Sequence, residues 1–343
     1  MLLRENVPLA PYTTFRIGGP ARWFADAEDE GDVLEAVRFA RDRDLPLFVL
    51  GGGSNLLVAD EGFSGLVLHI ALPGVQQDSS VFRVGAGEEW DRFVSLAIER
   101  GFGGVECLAG IPGTVGGTPV QNVGAYGQEV AETIILVRAL DLDSLKFVEL
   151  SAAECGFSYR HSIFNSSERG RYIVIRVDYS LRKDAAPVLA YADLKRHFSN
   201  SMVTPSLADV ASAVRAIRRG KGMLLVEGDP DSRSAGSFFK NPIVPRDVYS
   251  AISSSSPTIV PSYPASDGLV KLSAAWLIEQ AGFPKGFAMG VAGISSRHTL
   301  ALINRGGACA SDIVALRNRI QLAVEQRFGV ALQPEPVWLG SAG

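Results

Sequence analysis

C-L-A-G-I-P-G-T-V-G-G-T-P-V-Q-N-V-G-A-Y-G, residues 107–127, is rich in glycine and contains no charged side chain. A segment so poor in side chain works through its backbone. Glycine reaches positive φ and lets another molecule approach the main chain, and bare N–H groups pointing into one concavity make a seat for a pyrophosphate. A mobile surface loop is the alternative. Ile111, Pro112, Val115, Pro119, Val120, Val123 and Tyr126 are interleaved with the glycines, and solvated linkers rarely carry so much apolar matter. The stretch is therefore expected to fold around something anionic and flat.

A second uncharged glycine turn, Gly51-Gly52-Gly53-Ser54-Asn55, follows the apolar run Leu47–Leu50 and leads into Leu56-Leu57-Val58. A Rossmann fingerprint needs a final glycine and a helix after the turn; here Leu56 takes that place and the pattern that follows is strand-like. No G-x-x-x-x-G-K-[S/T] occurs either, which disfavours a nucleoside triphosphate. Two backbone-rich turns together point to a dinucleotide held mainly by amides.

Composition narrows the classes. The 343 residues carry a net charge of −4, with 20% charged and 47% apolar residues, which suits a well-buried enzyme of two or three packed units. The longest basic cluster is Arg218, Arg219 and Lys221, too small to coat a nucleic acid but able to hold one diphosphate. No run of about 18 apolar residues predicts a membrane span, and the N-terminal residues lack a secretory pattern, so a cytoplasmic protein is expected. Cys107, Cys155 and Cys309 are far apart, as for reduced, buried thiols. The four histidines show no ligand spacing, and no metal is expected.

Periodicity predicts helices over 29–43 and 89–100, and antiparallel strands over 134–140, 147–150 and 172–181. Ser206, Ser273 and Ser311 are expected to open helices, the last running to Phe328 and stopped by Gly329. Residues 253–264, with five serines and three prolines, read as a loop, and residues 183–206 as a boundary or a long excursion. The fold expected is α+β.

Three isolated residues carry possible chemistry. Arg160, in Tyr159-Arg160-His161-Ser162, offers a rigid fork for a carboxylate or phosphate, or pairs structurally with an acidic neighbour. Ser237, in Gly236-Ser237-Phe238-Phe239, sits at a tight turn against an apolar wall; no G-x-S-x-G surrounds it, and a turn or cap role is the simpler reading. Glu335 stands between Pro334 and Pro336, stiffened by both, or is an exposed glutamate on an edge strand.

Taken in order along nearly the whole chain, Thr14-Phe15-Arg16-Ile17-Gly18-Gly19, Leu50 to Leu57, Ala109 to Gly117, Gln121 to Gly127, Tyr159 to Ser162, Gly236 to Pro242, Ser273 to Glu279 and Pro334-Glu335 resemble the UDP-N-acetylenolpyruvoylglucosamine reductases. The resemblance implies a two-lobed unit of the vanillyl-alcohol-oxidase type holding non-covalent FAD over residues 14–183, with lobes of about 14–70 and 71–183. It implies an excursion over 184–205 carrying a gating tyrosine, a substrate-binding α+β domain over 206–328, and a segment 329–343 that returns a glutamate to the site.

It further implies that NADPH reduces the flavin and that an enolpyruvyl nucleotide sugar is then reduced to UDP-N-acetylmuramate for peptidoglycan. Arg160, Ser237 and Glu335 would be catalytic, with Ser237 the proton donor and Glu335 either protonated or positioning Arg160. Tyr191, Lys221 and Asn241 would bind substrate. FAD would contact Gly51, Gly52, Gly53, Ser54, Asn55 and Leu56 in one turn, and Ile111, Pro112, Gly113, Thr114, Gly116, Gly117, Gln121, Asn122, Gly124, Ala125, Tyr126 and Gly127 in the other. His161 departs from the acidic residue of many relatives. A monomer is expected. The rivals are a flavin oxidase on a similar unit and a non-catalytic nucleotide-sugar or flavin-binding module.

Overall fold

The computed structural model describes residues 1–340 of the chain, so residues 341–343 of the expected C-terminal segment lie outside it. Two compact units emerge. The first comprises residues 1–7, 20–53 and 63–219, the second residues 8–19, 54–62 and 220–343. Residues 14–19 and 54–62, read from the sequence as part of the first lobe, thus lie in the second unit, and the helix Leu207–Gly220, read as the start of a substrate domain, lies almost wholly in the first.

Within the first unit a four-stranded sheet runs in the order Leu3–Pro8, Pro20–Ala27, Phe63–Ile70, Leu47–Leu50, the last three mutually parallel. Parallel strands need a crossover, and the helix Glu30–Asp42 supplies it. Asp29 caps this helix by accepting from the Asp32 amide, and Val33, Ala36, Val37 and Ala40 form its buried stripe, the spacing that the sequence periodicity predicts. The second sheet is antiparallel and five-stranded: Lys146–Ser151, Ile134–Asp141, Tyr172–Ser180, Val81–Gly85, Val75–Asp78. The helix Trp90–Glu99 buries Trp90, Phe93, Val94 and Ala97. Ring centroids of Trp90, Phe93 and Tyr179 stand 5.1–5.9 Å apart, and full burial of one such ring stabilises by about 1.5–3 kcal/mol.

In the second unit, Ile243–Pro245, Leu269–Leu272 and Ser262–Pro264 form one antiparallel sheet and Ala288–Met289, Ala292–Ile294 and Leu302–Asn304 another. Leu56–Val58 pairs in parallel with Val337–Leu339. The helix Ala310–Phe328 buries Ala310, Ile313, Leu316, Ile320 and Val324, and Gly329 ends it at φ 65°. Its start differs from expectation: Cys309, not Ser311, is the N-cap, while the Asp60 carboxylate accepts from the amides of Ala310 (2.6 Å) and Ser311 (3.0 Å). A cap supplied from 250 residues away leaves no local trace.

The serine-rich stretch also departs from the loop expected. Residues 246–255 are helical, and Ser262–Pro264 is a strand. Ser250 and Ser255 donate to carbonyls four residues back, which satisfies their hydroxyls within the helix, and Ile252 is buried. Residues 184–205 contain the short helix Ala192–His197, with Leu194 buried. Cys107 and Cys155 are buried, and burial pushes their thiols up to about 12. Cys309 is only half-buried, contrary to the expectation of three buried thiols, because it stands at a helix start.

Candidate active site

The two glycine turns meet. A Cβ on Gly52 would lie 2.6 Å from the Gly113 Cα and 2.9 Å from its carbonyl carbon, and one on Gly51 would lie 2.8 Å from the Thr114 Oγ1. Backbone packs directly on backbone, which only glycine permits. Gly53 turns the chain at φ 59°. The amides of Gly51, Gly52, Gly53, Gly113 and Thr114 find no acceptor among the described residues, although Gly53 is buried. A buried amide is nearly always paired, so the Gly53 amide, with the other unpaired amides of these two packed turns, suits an anionic ligand. Gly117 is exposed, and a Cβ there would meet nothing within 4 Å.

Charged side chains hold this loop from behind. The Asp91 carboxylate accepts from the Gly110 amide at 2.6 Å and is gripped by Arg215 through Nη2 at 2.7 Å and Nε at 3.1 Å, the bidentate fork that suits arginine. Arg218 donates from Nε to the Gly110 carbonyl at 3.0 Å. Burial pushes the Arg218 guanidinium down, against the opposing effect of Tyr126. None of Asp91, Arg215 and Arg218 was singled out as a site residue from sequence. The basic cluster marked Arg218, but Asp91 and Arg215 are 124 residues apart.

Beyond the loop, Asn122, Tyr126 and Arg160 all adopt positive φ, at 44°, 49° and 56°. Such values are uncommon outside glycine and gather at functional sites. The Asn122 side chain is committed to protein: Nδ2 donates to Glu129 (2.7 Å) and to the Ser158 carbonyl (3.0 Å), and Oδ1 accepts from the Ala131 amide (3.1 Å). These bonds shape the turn. Arg160 Nη2 donates to the Gly124 carbonyl at 2.9 Å, and the Asn165 side chain holds the Arg160 carbonyl. The Tyr126 and Tyr191 rings stand edge to face at 5.3 Å, and a Cβ on Gly127 would touch Ala190 at 3.1 Å. Residue 188 is pinned as well: buried Glu106 accepts from the amides of Val188 (3.1 Å) and Gly104 (2.7 Å) and from Gln128 (2.9 Å).

In the second unit, one short ladder joins the segment that follows Ser237 to the segment that carries Glu335. Phe239 bridges Pro334, the Glu335 amide donates to the Phe238 carbonyl at 2.9 Å, and the Lys240 amide donates to Gln333 at 3.0 Å. Phe238 and Phe239 are buried, with rings 5.3 Å apart. Ser237 is half-buried, and its hydroxyl makes no hydrogen bond to a described residue. Asn55 holds the same strand from its other end: its Nδ2 reaches the Glu335 carbonyl at 3.4 Å and its own carbonyl accepts from Val337 at 2.9 Å. Asn55 and the buried Leu56, paired with Val337, are thus occupied in seating Glu335. Asn241 Oδ1 accepts from the Ala274 amide at 2.9 Å, helping Ser273 to start the helix Ala274–Gln280. Arg160 and Tyr191 belong to the first unit; Lys221, Ser237, Asn241 and Glu335 belong to the second.

A family model described as the C-terminal domain of UDP-N-acetylenolpyruvoylglucosamine reductase matches residues 229–339, and one described as an FAD binding domain matches residues 21–145. The UDP-N-acetylenolpyruvoylglucosamine reductase of Thermobifida fusca is 47% identical over 349 residues, covering 98% of either chain. That of Streptomyces coelicolor is also 47% identical, over 98% of this chain and 90% of its own. The crystal structure of the reductase from Thermus caldophilus superposes with a TM-score of 0.69 at 28% identity, over 99% of this chain and all of the other.

Proposed function

Given that the chain belongs to the UDP-N-acetylenolpyruvoylglucosamine reductase family, and is thereby an FAD-dependent oxidoreductase, we propose that it uses NADPH to reduce the enolpyruvyl ether of UDP-N-acetylglucosamine to UDP-N-acetylmuramate, a step of peptidoglycan synthesis. The unpaired amides of Gly51, Gly52, Gly53, Gly113 and Thr114, and the absence of space for side chains at Gly51 and Gly52, fit the pyrophosphate of FAD. Bound there, FAD supplies the hydride relay between NADPH and the substrate.

The observation that carries the reading is the ladder in which the Glu335 amide donates to the carbonyl of Phe238, the residue after Ser237, whose hydroxyl makes no hydrogen bond to a described residue. Hydride addition to the methylene carbon of the enolpyruvyl group pushes electron density onto the adjacent carbon and its carboxylate. Arg160 would meet that carboxylate with a guanidinium that has five donors. The Ser237 hydroxyl then gives its proton to the carbanionic carbon, completing addition of two hydrogens across the double bond, and regains a proton from water. Glu335 orients the donors around the developing charge. Lys221 and Asn241 would take the diphosphate, and Tyr191, against Tyr126, would close over the nucleotide.

One anaerobic experiment tests this. NADPH should bleach the flavin band of the purified protein, and only the enolpyruvyl nucleotide sugar should restore it with formation of UDP-N-acetylmuramate. A flavin that NADPH leaves oxidised, or one that stays bleached with that substrate, overturns the reading.

A further inference from the structure

The hairpin joining Ala292–Ile294 to Leu302–Asn304 carries the loop 295–301, closed on itself by a hydrogen bond from the Ser295 amide to the Ala301 carbonyl at 2.8 Å. This loop grips the chain at two points. At one end, Arg297 donates from Nε to Asp231 at 2.9 Å and pairs with Asp229, while Ser296 donates to the Asp231 carboxylate from its amide (3.2 Å) and its hydroxyl (2.7 Å). At the other end, the Leu300 carbonyl accepts from the Phe238 amide at 2.7 Å.

These points sit next to two proposed substrate residues. Gly222, at φ 65°, follows Lys221, and a Cβ on it would lie 3.1 Å from both the Arg297 Nε and the Asp231 Cβ. The peptide after Lys221 is thus seated on the Arg297–Asp231 ion pair. Phe238 follows Ser237. Asp231 is buried, so its charge is satisfied by fixed donors rather than water, and such a network holds one geometry.

We infer that Arg297 and Asp231 are positioning residues that make the loop 295–301 a clamp, fixing the diphosphate lysine Lys221 and the proton donor Ser237 to one rigid support. This rests on the reading above, since it assigns those two residues to one substrate. Both residues that the clamp would fix are assigned to the half-reaction with the nucleotide sugar. Loosening the clamp therefore weakens nucleotide-sugar capture and protonation and spares the NADPH half-reaction.

The test separates the half-reactions in anaerobic stopped flow. Arg297→Ala should raise the Kd for the enolpyruvyl nucleotide sugar and slow flavin reoxidation, each at least tenfold, with FAD content and flavin reduction by NADPH within twofold of wild type. Arg297→Lys, which keeps the charge, should recover part of the loss. Asp231→Asn, nearly isosteric, should show the same asymmetry if Arg297→Ala does not fold. Reoxidation and substrate affinity unchanged in these variants, or equal losses in both half-reactions, overturn the clamp. Failure of the wild-type protein itself to reoxidise with this substrate instead overturns the underlying reading.

Discussion

Gly52 faces Gly113 across a gap that a single methyl group would close: a Cβ on Gly52 falls 2.6 Å from the Gly113 Cα and 3.1 Å from the Thr114 amide nitrogen. The obstructing atoms are backbone, so no side-chain rotation relieves the clash. Gly52→Ala should separate the two turns and spread the amides that they present. We expect the Kd for FAD to rise at least tenfold, measured by fluorescence quenching on the apoprotein. Neither Gly52 nor Gly113 belongs to either hydrophobic core, so the variant should still fold.

Ser237 is held between Gly236, at φ 72°, and Phe238, whose amide and carbonyl are both hydrogen bonded. The hydroxyl position is therefore fixed by backbone, and removing Oγ should leave the support in place. Ser237→Ala should accept electrons from NADPH at the wild-type rate and reoxidise with substrate about 10²–10⁴-fold more slowly, the usual range for loss of a general acid. Unchanged reoxidation in stopped flow would exclude Ser237 as the donor.

Local chemistry was legible in the sequence; long-range partnership was not. The apolar stripe Val33–Val37–Ala40 and the Gly329 stop follow from neighbouring residues and stand as expected. Both glycine turns were legible as backbone surfaces, but their packing through Gly52 and Gly113 joins segments far apart in the chain. Asn122 has side-chain partners that the motif does not reveal. An uncharged amide within a glycine-rich run resembles a ligand donor, yet its three hydrogen bonds go to Glu129, Ala131 and Ser158. Arg215 and Asp91 carry no motif at all, and only the fold makes them a pair.

That commitment of Asn122 has a stability consequence. Asn122→Ala would take this partner from the Ala131 amide and the Ser158 carbonyl, at about 0.5–1.5 kcal/mol for each lost hydrogen bond. It would also place alanine at φ 44°, at about 1–2 kcal/mol more. Asn122→Gly loses the same hydrogen bonds without the steric strain. Alanine should therefore lower the urea midpoint further than glycine does; the reverse order would show that the side-chain bonds and the strained turn do not act as described.

Asp141 ends the strand Ile134–Asp141, and its carboxylate ties the turn that follows to Arg171. Arg171 donates to it from Nε at 3.1 Å, and Ser144 and the Asp143 amide add further bonds. The Arg171 guanidinium is the chief reason that this carboxyl falls from its ordinary 3.8 to about 2. A carboxyl depressed on folding stabilises fully above its unfolded value and loses that contribution as pH falls through its folded one. The stabilisation should thus be complete above about pH 4 and vanish near pH 2. Asp141→Asn, which cannot ionise, should be less stable than wild type at pH 7, and the difference between them should shrink steadily from pH 4 toward pH 2 in urea titrations. A difference independent of pH over that interval would mean that the Arg171 pair contributes nothing through charge.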